Sequence, residues 1–134
     1  MYLSACIEWL FREEYPDFSD RVRAAKAQGF SHVEFHLWRD KPLAALAQAL
    51  EETGVTLSSF VVEPRRSLVD PAEHEQFLAA VSDSLAVSRQ LGSPPLVVAS
   101  GFSREGVDIA EQQAQAVTQA LVQHVENLQK SSEK

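Results

Sequence analysis

At 134 residues the chain has the length of one domain, and with 45% hydrophobic and 23% charged residues it has material for a substantial core. A net charge of −7 argues against the broad attraction to phosphate on which nucleic-acid binding rests, though not against a small anion held by arginine. The lone cysteine, Cys6, rules out an intrachain disulfide and suggests a reducing, cytoplasmic setting, and no stretch approaches the roughly 20 apolar residues that cross a bilayer.

In chain order, one phrase recurs: a β-rich run, a polar loop, then an amphipathic helix closed by glycine. Leu3–Leu10 is the first strand candidate; with Glu8 inside it and no basic leader, it reads as a buried strand and not as a signal peptide. Asp17 or Ser19 caps a helix running to about Gln28, with Phe18, Val22 and Ala25 on its inner face and Gly29 as its stop. His32–Trp38 is the second strand candidate, and Leu43, Leu46 and Leu50 follow Pro42 at helical spacing before Gly54. Thr56–Val62 is the third. Asp70-Pro71-Ala72-Glu73 then opens a helix with Phe77, Val81 and Leu85 inward, ending at Leu91-Gly92. Pro94 and Pro95 introduce the fourth strand, Leu96–Ser100. A last helix carries Val117, Leu121, His124 and Leu128 on one stripe, and residues 131–134 form a polar tail after a single domain spanning 1–130.

Alternating strands and helices require a parallel sheet with right-handed crossovers. Two architectures satisfy this: a small doubly wound sheet, or four of the eight units of a (β/α)₈ barrel, which runs to about 250 residues when complete. Periodicity does not separate them. The dinucleotide-binding version of the open sheet has no support, because no G-x-G-x-x-G follows the first strand.

The strand-end residues separate them by likeness. Ala5-Cys6-Ile7-Glu8-Trp9-Leu10-Phe11 with its acidic loop resembles the opening strand of hydroxypyruvate isomerase-like proteins, within the wider xylose isomerase-like group. Gly29-Phe30-Ser31-His32-Val33-Glu34-Phe35 is similar to that group's second strand, and Gln90-Leu91-Gly92 leading into Leu96–Gly101 to its fourth. The resemblance implies an α/β fold, the (β/α)₄ half of a TIM barrel with parallel strands and outer helices. It implies metal-dependent sugar isomerase or epimerase chemistry, with manganese or magnesium in the complete barrel. It also implies that the metal ligands and catalytic carboxylates lie on strands five to eight, so no catalytic or metal residue, and no metal, is expected on this chain.

The residues that could touch a substrate sit at C-terminal strand ends, where such barrels place their sites. If Val33, Phe35 and Leu37 face the helices, then Glu34, His36 and Trp38 face the lumen. There Glu34 and His36 would lie beneath a polar substrate with Trp38 as a wall, or form an internal layer of salt bridges. Trp9 is a second candidate wall or a packing residue, and Glu8 points inward or lies in a solvated loop. Arg65 and Arg66 suit the carboxylate of an acidic keto-sugar, or one neutralises Glu34 or Glu63 while the other is solvated. Ser100-Gly101 allows a ligand close to the backbone or makes a tight turn. Arg39-Asp40-Lys41 reads as a hydrated turn, Cys6 as a small core residue, and His74 and His124 as exposed or interfacial.

The expected partners are a small sugar or hydroxy-keto acid and no nucleic acid or membrane. Because four units leave strand edges open, a homodimer or pairing with a C-terminal half-barrel is also expected. The alternatives are a non-catalytic half-barrel that dimerises as a scaffold, or a truncated fragment.

Overall fold

The computed structural model describes residues 1–99 and 101–114. The chain traces β1 (Ser4–Cys6), α1 (Phe18–Ala27), β2 (His32–Glu34), α2 (Leu43–Thr53), β3 (Thr56–Val61), α3 (His74–Gln90) and β4 (Leu96–Val97), with a 3₁₀ turn at Pro71–Glu73 before α3. All three strand pairings are parallel and the order is β1-β2-β3-β4. A doubly wound sheet reverses its order part-way. This one runs straight through its described strands, the order of a barrel wall, and the fold is a partial TIM barrel.

Local chemistry sets the element ends. Asp17 caps α1 by accepting from the Ser19 amide at 2.9 Å and the Ser19 hydroxyl at 2.7 Å. Gly54 ends α2 at φ 65°, a left-handed conformation that costs glycine nothing. The strands are shorter than the apolar runs suggest. β1 stops at Cys6, whose carbonyl accepts from both the Trp9 and Leu10 amides, so Glu8 and Trp9 stand in a turn. In β3 the pairing slips against Val33/Glu34, and this irregularity lets Leu57 and Phe60, three residues apart, both face the core.

The contacts group into two compact units. The first, residues 1–63 and 83–98, holds the sheet. Ala5, Ile7, Val33, Phe35, Leu57 and Phe60 turn toward Val22, Ala25, Leu46, Ala49 and Leu50 of α1 and α2 in one buried cluster. Phe35 stacks on Phe60 with centroids 5.4 Å apart and meets Phe18 edge-on at 5.6 Å. Arg23 of α1 is tied to Glu52 of α2 at 2.7 Å.

The second unit comprises residues 64–82 and the described residues from Ala99 on. Leu68 and Phe77 form a small apolar cluster with Val69, Leu78 and Val81. Asp70 caps the turn into α3, accepting from the Ala72 amide at 3.1 Å, whereas Glu73 reaches past the cap to the Ser67 amide at 2.6 Å. The stripe Val117, Leu121, His124 and Leu128 and the tail 131–134 lie outside the described residues.

Candidate functional site

The face of the sheet away from the helices is polar. Ala5, Ile7, Val33 and Phe35 are buried on the helix side, so Ser4, Cys6 and Glu34 fall on the other, open side. There the Ser4 and Ser58 hydroxyls meet at 2.6 Å, and Ser58 donates to the Val33 carbonyl at 3.0 Å. Glu34 is half-buried on this face and has no ion-pair partner among the described residues.

Above it, at the C-terminal ends of β1 and β2, the side chains of Glu8, Trp9, His36 and Lys41 converge. One Glu8 carboxylate oxygen accepts from the His36 amide at 3.1 Å, and the other accepts from the Lys41 ammonium at 2.9 Å. Lys41 also donates to Asp40 at 2.9 Å, and its side chain is only 8% exposed. Burial works against the Lys41 ammonium, but the hydrogen bonds to Asp40 and Glu8 outweigh it and raise its pKa. The exposed His36 ring meets Trp9 edge-on at 5.9 Å, and its Nε2 lies 3.7 Å from the Cys6 sulfur. Burial pushes the Cys6 thiol up, and the charges of Glu34 and Glu8 add to the rise. Cys6 at neutral pH is therefore a protonated thiol and not an activated nucleophile. Trp9 itself is 61% exposed.

Arg21 supports this corner from behind. It is buried on α1, and its guanidinium donates to the carbonyls of Tyr15 (2.9 Å), Ile7 (3.1 Å), Glu8 (3.4 Å) and Pro16 (3.4 Å). A cleft of about 530 Å³ opens between the β1–α1 and β2–α2 loops, lined in part by Glu8, Trp9, Arg12, Arg21 and Lys41. A further cleft of about 390 Å³, which Val55, Leu57 and Gly92 help line, reaches the start of β3 and the ends of α2 and α3, away from the strand ends that carry polar side chains.

Several expected placements change. Trp38 does not join Glu34 and His36 on the open face. β2 ends at Glu34, and the Glu63 carboxylate then accepts from the Trp38 and Arg39 amides at 2.9 and 3.0 Å, turning the chain. Leu37 swings outward to 38% exposure and Trp38 inward to 9%, where its indole N–H donates to Ser84 at 3.0 Å. Arg39 covers it from outside, 4.6 Å from the ring centroid. Lys41 is buried and paired, not part of a hydrated turn. Cys6 is half-buried on the open face, not a core residue. The Glu63 carboxylate is satisfied by backbone amides and not by an arginine, Arg39 donating to the Glu63 carbonyl instead.

Arg65 is an exposed residue of the second unit, and Ser100 lies outside the described residues. At Gly101 the close approach is made by chain and not by ligand: a Cβ there would stand 2.6 Å from the Arg66 carbonyl oxygen. Sequence reasoning missed Arg21 and Lys41. Arg21 had a signal, since Phe18, Arg21, Val22 and Ala25 share one helical stripe; Lys41 had none.

Among the described residues no three His, Cys, Asp or Glu side chains converge to hold an ion, and both Glu8 oxygens are occupied by donors.

Residues 22–131 match the family model for the xylose isomerase-like TIM barrel. The chain belongs to this family. A crystal structure of AP endonuclease, family 2, from Brucella melitensis is similar, with a TM-score of 0.74 and 23% identity over 92% of this chain, a likeness of fold alone. The family member described here spans 48% of the Brucella chain, about half its length. No curated protein matches the sequence. No described helix is long and apolar enough to cross a membrane.

Proposed function

We propose that this chain supplies the first four strand–helix units of a sugar isomerase or epimerase barrel, and that its open face binds a small sugar or hydroxy-keto acid. The observation that carries the reading is the convergence of Trp9, His36, Glu8 and Lys41 at the C-terminal ends of β1 and β2. An exposed indole beside an exposed imidazole gives a sugar or keto acid a ring to lie on and a hydrogen-bonding partner, and Glu34 and Ser58 add polar groups below. Trp38 belongs to this proposal as a residue that shapes the wall from within the core. Proton transfer between neighbouring carbons, with manganese or magnesium, is assigned to strands five to eight of a completed barrel. A reducing, cytoplasmic setting suits the lone thiol.

The test is titration of the chain with hydroxypyruvate and with small ketoses, followed by Trp emission and NMR. Saturable binding weakened by Trp9→Ala and by His36→Ala is expected, with no isomerase activity from the chain alone. Activity of the chain alone on addition of manganese or magnesium would overturn the division of labour. Absence of binding for every sugar and keto acid would overturn the substrate class. The Brucella protein is named an AP endonuclease, but a net charge of −7 makes DNA a poor ligand for this chain.

A second reading, a half-barrel that pairs as a scaffold, is favoured by the sheet edges. Among the described strands β1 and β4 have one neighbour each, and Tyr2, Leu3, Val97 and Val98 beside them are exposed. Light scattering after size exclusion tests it; a stable 14.9 kDa monomer at micromolar concentration counts against it.

A further inference from the structure

His36 lies beyond the end of the β1–β2 ladder, yet its backbone is held on both sides. The last rung from β1 is the Ile7 amide donating to the Glu34 carbonyl at 2.9 Å. Past it β1 turns away, because the Trp9 and Leu10 amides fold back onto the Cys6 carbonyl. The β3 side continues: the Val61 amide donates to the His36 carbonyl at 2.9 Å. On the β1 side the His36 amide would be left without a strand partner, and it donates instead to the Glu8 carboxylate at 3.1 Å.

We propose that Glu8 is a positioning residue whose carboxylate replaces the rung β1 no longer supplies, with Lys41 fixing that carboxylate so that the His36 ring is presented to ligand. The inference rests on the substrate reading above for what His36 is presented to. Three features separate this role from that of an acid, a base or a ligand contact. Both Glu8 oxygens are engaged, one by the His36 amide and one by Lys41. Lys41 is itself confined, between Asp40 and the Phe18 ring, 5.0 Å from the ring centroid. The Glu8 backbone is fixed from the other side, its carbonyl and that of Ile7 accepting from buried Arg21. Carboxylate, lysine and arginine thus brace one turn of chain, and the exposed group left over is the imidazole.

The experiment is amide hydrogen exchange at His36 in the wild-type chain and in Glu8→Ala, Glu8→Gln and Lys41→Met, with far-UV circular dichroism confirming the fold. Exchange at His36 is expected to quicken about tenfold or more in Glu8→Ala, the loss of a hydrogen bond to a charged group. Glu8→Gln, whose amide oxygen can still accept, is expected to restore most of the protection, and Lys41→Met to fall between. Hydroxypyruvate binding is expected to weaken in the same order. Unchanged protection of His36 in Glu8→Ala overturns the inference whatever the ligand does. Equal protection loss in Glu8→Gln and Glu8→Ala overturns it as well. If protection follows the expected order and neither hydroxypyruvate nor a ketose binds the wild type, the substrate reading falls while the substituted rung stands.

Discussion

Replacing Arg21 with methionine should loosen the corner of the fold that carries Glu8 and Trp9. The change keeps most of the side-chain stem and removes a guanidinium whose carbon sits 5.1 Å from the Phe18 ring centroid. Two of its four hydrogen bonds are well made, to Tyr15 at 2.9 Å and Ile7 at 3.1 Å, and two are long, to Glu8 and Pro16 at 3.4 Å. A hydrogen bond to a charged donor contributes about 1.5–3 kcal/mol. The Tyr15 and Pro16 carbonyls belong to exposed residues and can turn to water, whereas the Ile7 carbonyl belongs to a fully buried one. The expected loss is therefore about 2–4 kcal/mol, most of it from the Ile7 carbonyl, which cannot turn to water.

Urea titration followed at 222 nm measures that loss, and the melting temperature should fall by roughly 10 °C. Arg21→Lys should recover only part, because one ammonium cannot reach four carbonyls arranged around a planar fork. Trp9 emission should broaden in both variants as its turn loosens. A loss below about 0.5 kcal/mol in Arg21→Met would mean that water or the chain itself satisfies these carbonyls, and the bracing argument would fail.

Gly101→Ala should cost about 2 kcal/mol or more in a melting experiment, since φ is 78° and the new methyl meets the Arg66 backbone at 2.6 Å. Ser84→Ala strands the Trp38 indole N–H and the Glu63 amide, which both donate to the Ser84 hydroxyl, and should cost about 1–3 kcal/mol by urea titration. Hydrogen bonds to Ser19 hold the Asp17 carboxyl below its usual range, so α1 gains stability above the ordinary carboxylate pKa and loses it as pH falls through the lowered value; acid titration of α1 amide shifts checks the sign. Lys41 runs the other way: its raised pKa gives a contribution complete below the ordinary lysine value and lost as pH rises through the higher one, so alkaline unfolding should come later in wild type than in Lys41→Met. Alkylation of Cys6 by iodoacetamide near pH 8 should be slower than that of a free thiol, because burial raises its pKa.

Helices were legible because their signals are local. Asp17 before Phe18 and Gly54 after Thr53 mark helix ends by chemistry that needs no distant partner. Strand order was legible only through resemblance, because alternation of elements is the same in a barrel and in an open sheet. Strand ends were not legible. The run Leu3–Leu10 still ends on apolar Trp9 and Leu10, and nothing in it announces that the Cys6 carbonyl collects the amides of both. The β3 irregularity is equally silent, though it decides that Phe60 and not Ser59 faces the core.

The site divides along the same line. Period-two alternation holds as far as a ladder holds it, and so Glu34 and His36 take the open face while Val33 and Phe35 are buried. Trp38 lies four residues past Glu34, the last residue of β2, where Glu63 sets the backbone direction through two amides. A tryptophan at that point has a choice between water and a buried hydroxyl. Burying the indole against the core removes a large apolar surface from solvent, and Ser84 satisfies its one donor, so the inward rotamer wins on both counts. Among the described residues the Trp9 indole donates to no hydroxyl, and it stands in a turn braced by Arg21, its ring exposed beside His36. Two tryptophans that look alike in sequence therefore part by what lies under them: one packs into the core, and the other stays exposed beside His36.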